Sequence, residues 1–132
     1  MKKFAKAAAI AVVLLAVIIA GGLYFIKQQA ADAINDLTYE TVNMQNAADG
    51  QYLGEADAGL VQARVQVTVK DHAISQIEIL EHKNGLGQKA ESIVNEMVKA
   101  NTCEVDVVSG ATLSSLTIKS AVSKALKQSE LK

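Results

Sequence analysis

Proline is absent from the 132 residues, cysteine occurs once and histidine twice. Without proline, no turn has its backbone fixed by a pyrrolidine ring. With Cys103 alone, neither an internal disulfide nor a thiolate metal cluster can form. His72 and His82 are joined by no cysteine or carboxylate group at ligand spacing, so no metal site is expected. Positive charge is also scarce beyond the first 27 residues. Residues 28–132 hold nine Lys/Arg against fourteen Asp/Glu, a net charge of −5. A nucleic-acid surface needs a basic face, and this balance excludes nucleic acid as the expected partner.

What the chain has in abundance is apolar sequence at its start. Ala7 to Ile26 runs for twenty residues without a charge. As a helix this covers about 30 Å, the thickness of a bilayer's hydrocarbon core. Lys2, Lys3 and Lys6 precede it, and Lys27 and Asp32 are the first charges after it. The positive-inside bias puts the N-terminus in the cytoplasm and residues 28–132 outside, in a single pass of the cell membrane. A cleaved signal peptide is the alternative. Its apolar stretch is usually about 7–15 residues, and here the small Ala20-Gly21-Gly22 is followed at once by bulky Leu23-Tyr24-Phe25-Ile26. A retained anchor is expected over 1–27, contacting the lipid bilayer. A polar juxtamembrane stalk is expected over 28–48, and a folded extracytoplasmic domain over 49–132.

Within that domain Asp49-Gly50 signals a turn, and the pattern then becomes two-residue. Val61, Ala63, Val65, Val67 and Val69 alternate with Gln62, Arg64, Gln66, Thr68 and Lys70, which predicts a half-buried strand. Lys70–Ala73 makes a turn into a second strand, Ile74 to Leu80, paired antiparallel with the first. Helical spacing follows over Gln88–Ala100, with Ala90, Ile93, Val94 and Met97 on one stripe. A short strand is expected at Glu104–Val108. A last helix is expected over Leu113–Lys127, with Ile118, Ala121, Val122, Ala125 and Leu126 inward. The fold class is α+β: a small antiparallel sheet with packed helices, preceded by one transmembrane helix.

Between the short strand and the last helix stands Asp106-Val107-Val108-Ser109-Gly110-Ala111-Thr112. Small residues here let another group approach the backbone. The opening amides of a helix have no intrahelical partner, and with the positive end of the dipole they form an anion site. Thr112 adds a hydroxyl. The plainer use of Ser109, Thr112 or Ser114 is as a helix cap, the commonest role of such residues at this place.

The stretch resembles the D-x-x-(S/T)-G-A-T motif of the FMN-binding domain family. That family includes the C subunit of the sodium-pumping NADH:quinone oxidoreductase, the G subunit of Rnf-type complexes and many small membrane-anchored proteins. Asp49-Gly50-Gln51-Tyr52 with Gly54 resembles the family's opening strand, Val67–Asp71 its "VxVxVKDG" and Ile77–His82 the strand after it. Ala121-Val122 with Ala125-Leu126 is similar to the end of its last helix. The resemblance spans about residues 49–127. It implies FMN held covalently by a phosphoester on Thr112, installed from FAD by a flavin transferase, with Asp106, Ser109, Gly110 and Ala111 completing the recognition motif. Leu113, beside the acceptor, joins the implied cofactor-binding set. So do Leu86 and Gly87, left to line the flavin face where larger relatives carry a longer "H-x-E-T-P-G-L-G" loop. His72 stands where the family usually has Gly, so the turn must accept it or be of another type.

The implied function is an extracytoplasmic electron carrier fed by a membrane redox complex or quinone-linked donor. On this reading the chain has no catalytic residue and no substrate of its own. The alternatives are a flavin-bearing subunit of a reductase or respiratory complex, and a flavin-free binding module on the same fold.

Overall fold

The computed structural model describes residues 1–83 and 87–131. Its elements are α1 (Lys2–Asp36), β1 (Gly50–Asp57), β2 (Gln62–Lys70), β3 (Ala73–Lys83), α2 (Ile93–Ala100) and α3 (Thr112–Glu130). The chain divides into two compact units, Met1–Asp32 and Ala33–Lys132.

The first unit is helical from Lys2 onward. Its side chains from Ile10 to Ile26 are exposed, and the apolar window has a mean hydropathy of 2.8 with none of it buried. By length and composition this helix can cross a membrane.

The second unit is α+β. Its sheet is an antiparallel meander in the order β1-β2-β3. Tyr52, Gly54 and Ala56 of β1 oppose Val67, Val65 and Ala63 of β2, so one face carries all the apolar groups. Val65, Val67 and Val69 are essentially inaccessible to solvent, each contributing on the order of 1.5–3 kcal/mol by burial. On β3 the register slips twice. Val69 opposes Ile74 but Thr68 opposes Gln76, and Val65 opposes Ile79 but Arg64 opposes Glu81. Each slip inserts one residue, first Ser75 and then Leu80, and reverses which face the next side chain meets. The second slip brings His82 opposite Ala63 on the inner face, where its side chain is 1% exposed.

The β2–β3 turn is made by two residues in the left-handed region, Asp71 (φ 52°) and His72 (φ 62°). This is the two-residue hairpin geometry that usually takes Asn-Gly. His72 is accepted because the turn is tied from outside. The Asp71 amide donates to Asp49 Oδ1 at 2.8 Å, His72 Nδ1 lies 3.1 Å from the Ala47 carbonyl, and Asn101 Nδ2 donates to the His72 carbonyl at 3.3 Å. Asn101 also terminates α2 with φ 53°, and its Oδ1 accepts from the Ile74 amide at 2.8 Å.

Ala90, Ile93, Val94 and Met97 are all buried, as their spacing predicts. The helical segment opens as a 3-10 turn, Gln88–Ser92, before α2 proper. The expected strand at Glu104–Val108 is not formed. Its amides are taken locally: Glu104 N donates to Thr102 Oγ1, Val105 N to the Cys103 carbonyl and Val108 N to Ser115 Oγ. A ladder would need those donors.

Helix α3 lies across β1 and β2. Its Ile118, Ala121, Val122, Ala125 and Leu126 are buried, but so are Ser115, Ser120 and Ser123. Ser120 and Ser123 face a second layer. Residues 37–47 run along α3: Ser120 Oγ donates to the Thr38 carbonyl at 2.6 Å, and Ser123 Oγ donates to the Glu40 carbonyl while accepting from the Glu40 amide. Leu37 and Ala47 enter the core. Further along, Glu130 accepts from the Asn43 amide and from Lys127, and the Lys127 ammonium with the Asn43 amide holds its carboxyl below the usual range. The segment read from sequence as stalk is therefore packed from Leu37 to Ala47 as a strap over the helix.

The free edge of β1 is covered too. Gln128 Nε2 donates to the Leu53 carbonyl at 2.7 Å and Lys124 Nζ to the Glu55 carbonyl at 3.2 Å. These contacts satisfy an edge that would otherwise be open to pairing. They also show that β1 and α3 run in opposite directions.

Candidate functional site at the mouth of helix α3

The Ala111 amide donates to the Val108 carbonyl at 3.0 Å, closing a turn whose third residue, Gly110, has φ 79°. That conformation is the one a type II turn demands of glycine. Ala111 occupies the cap position with no side-chain hydrogen bond to the helix, and Thr112 is the first helical residue. The capping use of Ser109 and Thr112 is thus not realised. Because the capping side chain is a methyl group, the first-turn amides of α3 keep their donors for something else. Thr112 is exposed, as are Ser109 and Gly110, whereas Ala111 is buried beneath them and Leu113 is half-buried.

One hydroxyl that the sequence reading overlooked holds this turn to its helix. Ser115 Oγ accepts from the Val108 amide at 3.0 Å and donates to the Ala111 carbonyl at 2.7 Å, from a fully buried position. It clips both ends of the turn at once. Ser115→Ala is expected to cost about 1–3 kcal/mol, the penalty for leaving buried backbone groups short of a partner. Urea unfolding measures the cost, and faster hydrogen exchange at the Val108 amide locates it.

The remaining sequence candidates are placed as follows. Asp106 is exposed, and among the described residues its carboxylate accepts no hydrogen bond from the turn. Gly87 is buried and stands at the start of the 3-10 turn Gln88–Ser92. Leu86 lies outside the described residues. A second overlooked residue links these segments: the Lys89 ammonium sits over Gly110, 3.0 Å from where a Cβ at that position would be. His82 Nδ1 lies 3.0 Å from Glu91 Oε1 of the same 3-10 turn. Cys103 is buried, and burial followed by the Glu104 carboxylate pushes its thiol up, away from the reactive thiolate. Among the described residues no group of three or more His, Cys, Asp and Glu can hold a metal ion.

A cavity of about 340 Å³ is lined by Glu55, Ala56, Asp57, Gln62, Ala63, Arg64, Glu81 and Lys124. Its lining contains no residue of the 106–113 segment and alternates in charge, so it is separate from the turn.

The turn carries groups that could hold a phosphoryl group. It has uncapped amides at a helix N-terminus, a glycine with no side chain in the way, a cation alongside and a hydroxyl at the first helical position. FMN brings a phosphate that suits those donors.

Among curated proteins none matches the chain. Among solved structures it is similar to the crystal structure of the CPE2226 protein from Clostridium perfringens. The TM-score is 0.53 at 22% identity, over 64% of this chain and 90% of that one, a likeness of fold. The model of the FMN-binding domain matches residues 59–127, which takes in β2, β3, α2, the whole 106–112 motif and most of α3. The chain belongs to the FMN-binding domain family.

Proposed function

We propose that this protein is a membrane-anchored electron carrier whose FMN is bonded through its phosphate to Thr112 Oγ1. The observation that carries the reading is the placement of Thr112: an exposed hydroxyl on the first residue of α3, behind a glycine turn and beside uncapped amides.

The attachment balances as a phosphoryl transfer. Thr112 Oγ1 attacks the flavin-side phosphorus of FAD, the pyrophosphate P–O bond breaks, AMP departs and the threonine proton passes to solvent or to a base of the transferase. The chain's own part is to present the oxygen. The Ser115 clip and the Gly110 conformation hold the turn open, Ala111 anchors it in the core, and the α3 amides face the developing charge. Asp106, Ser109 and Leu113 flank the acceptor in sequence and are offered to the transferase. Once attached, FMN supplies one- and two-electron transfer. The domain supplies a tether that survives dilution outside the cell, and α1, with its N-terminal lysines on the cytoplasmic side, keeps that tether near a quinone-linked or other membrane redox donor.

The test is co-expression of the full chain with a flavin transferase, followed by denaturing gel electrophoresis and intact mass. Flavin fluorescence in the denatured band with a mass increase of one FMN less water is expected. An unmodified mass under those conditions would sink the proposal.

A further inference from the structure

Among the described residues, Lys89 is the cation whose ammonium the structure places against Gly110 of the motif turn. It reaches Gly110 from the 3-10 turn Gln88–Ser92, a separate segment twenty-one positions earlier in the chain. Its tip occupies the space above Gly110, 3.0 Å for Nζ and 3.4 Å for Cε from a Cβ built there. Among the described residues this ammonium makes no hydrogen bond or ion pair, whereas Lys83, Lys99, Lys124 and Lys127 are each engaged. The nearest acid along its own segment, Glu91, is already committed to His82.

A phosphodiester carries a full negative charge, and the helix mouth answers it only with amide donors and about half a unit of dipole charge. The surrounding domain is net acidic, which raises the value of a single cation placed at the turn.

We infer that Lys89 is a positioning residue that pairs with the phosphoryl oxygens of the flavin phosphate carried on Thr112. The inference rests on Thr112 being the attachment point. Lys89 neutralises the phosphate as the bond to Thr112 forms and remains its counter-ion afterwards. Lysine serves here as a point charge on a flexible stem, so arginine can replace it.

The full chain is compared with Lys89→Arg, Lys89→Met, Lys89→Glu and Thr112→Val, each loaded by one flavin transferase with FAD. Initial loading is read by intact mass, and folding by circular dichroism. Lys89→Met is expected to load roughly tenfold more slowly, as loss of one charge-assisted contact predicts. Lys89→Glu should be slower still, and Lys89→Arg close to the parent. In samples loaded to completion, the ³¹P resonance of the diester should move in Lys89→Met and stay in place in Lys89→Arg. A folded Lys89→Met that never loads counts in favour if Lys89→Arg loads, and against if it does not. Loading of Lys89→Met at the parent rate overturns the inference. So does slow loading with an unmoved ³¹P resonance, which would assign Lys89 to transferase contact. Flavin found on Thr112→Val would instead remove the attachment reading itself, whatever Lys89 does.

Discussion

Thr112→Val is expected to abolish flavin attachment and to leave the domain folded. Valine keeps the branched shape of threonine and removes only the oxygen. The side chain is exposed and takes no part in capping α3, a place that belongs to Ala111. Exposed substitutions of this kind stay within about 0.5 kcal/mol. Loss of flavin therefore cannot be blamed on loss of structure. The expected result is a denatured band without fluorescence, an intact mass equal to the bare chain, and a thermal midpoint within a few degrees of the unloaded parent. Thr112→Ser keeps a hydroxyl at the same helical position and should still load. A Thr112→Val sample that carries flavin through denaturation would place the bond elsewhere, with the neighbouring hydroxyl of Ser109 the first to examine. Both outcomes are read on one gel and one mass spectrum.

The period-two run from Val61 to Val69 made β2 legible, because each of its apolar side chains enters a core and each polar one does not. The helical stripe Ala90, Ile93, Val94, Met97 was legible for the same reason, and all four are buried. The small-residue turn that opens α3 could be read from Asp106 to Thr112 because it is contiguous. Other features depended on partners distant in sequence. The inward position of His82, in step with Ile77 and Ile79, depends on the second slip of register in β3, and nothing in its own segment signals it. The strap over α3 was hidden because its binding groups are backbone carbonyls of Thr38 and Glu40, which carry no sequence signature. Their partners, Ser120 and Ser123, look like ordinary polar residues on a helix surface. Helix α3 accordingly reads as one-sided and is covered on two sides. Lys89 was invisible for a related reason, since its relation to Gly110 exists only once the 3-10 turn packs beside α3.

Gly54→Ala should be the most damaging single methyl group that can be added to the domain. Gly54 sits mid-strand, opposite Val65, in ordinary extended backbone, so its conformation does not call for glycine. Its neighbour does. A Cβ there would lie 1.8 Å from the Ala121 carbonyl oxygen, 2.9 Å from that carbonyl carbon and 3.0 Å from Ala125 Cβ. Two of those atoms are helix backbone, which cannot rotate away as a side-chain tip can. To admit the methyl group α3 must lift from β1 by more than an ångström, and the contacts under Ile118, Ala121, Val122, Ala125 and Leu126 open together. Overpacking against a flexible neighbour costs about 1–3 kcal/mol. Against an immovable helix the expected cost is about 4 kcal/mol or more, a large share of the roughly 5–15 kcal/mol that holds a domain of this size. The thermal midpoint should fall by at least about 15 °C. The double variant Gly54→Ala with Ala125→Gly separates the two possible obstacles. Removing the Ala125 methyl group relieves only the 3.0 Å contact, so stability should not return. Recovery in that double variant would mean that side-chain crowding, rather than the path of the α3 backbone, makes glycine necessary at position 54. Flavin loading should follow stability here, because the mouth of α3 can present Thr112 only while the rest of the helix is seated on the sheet.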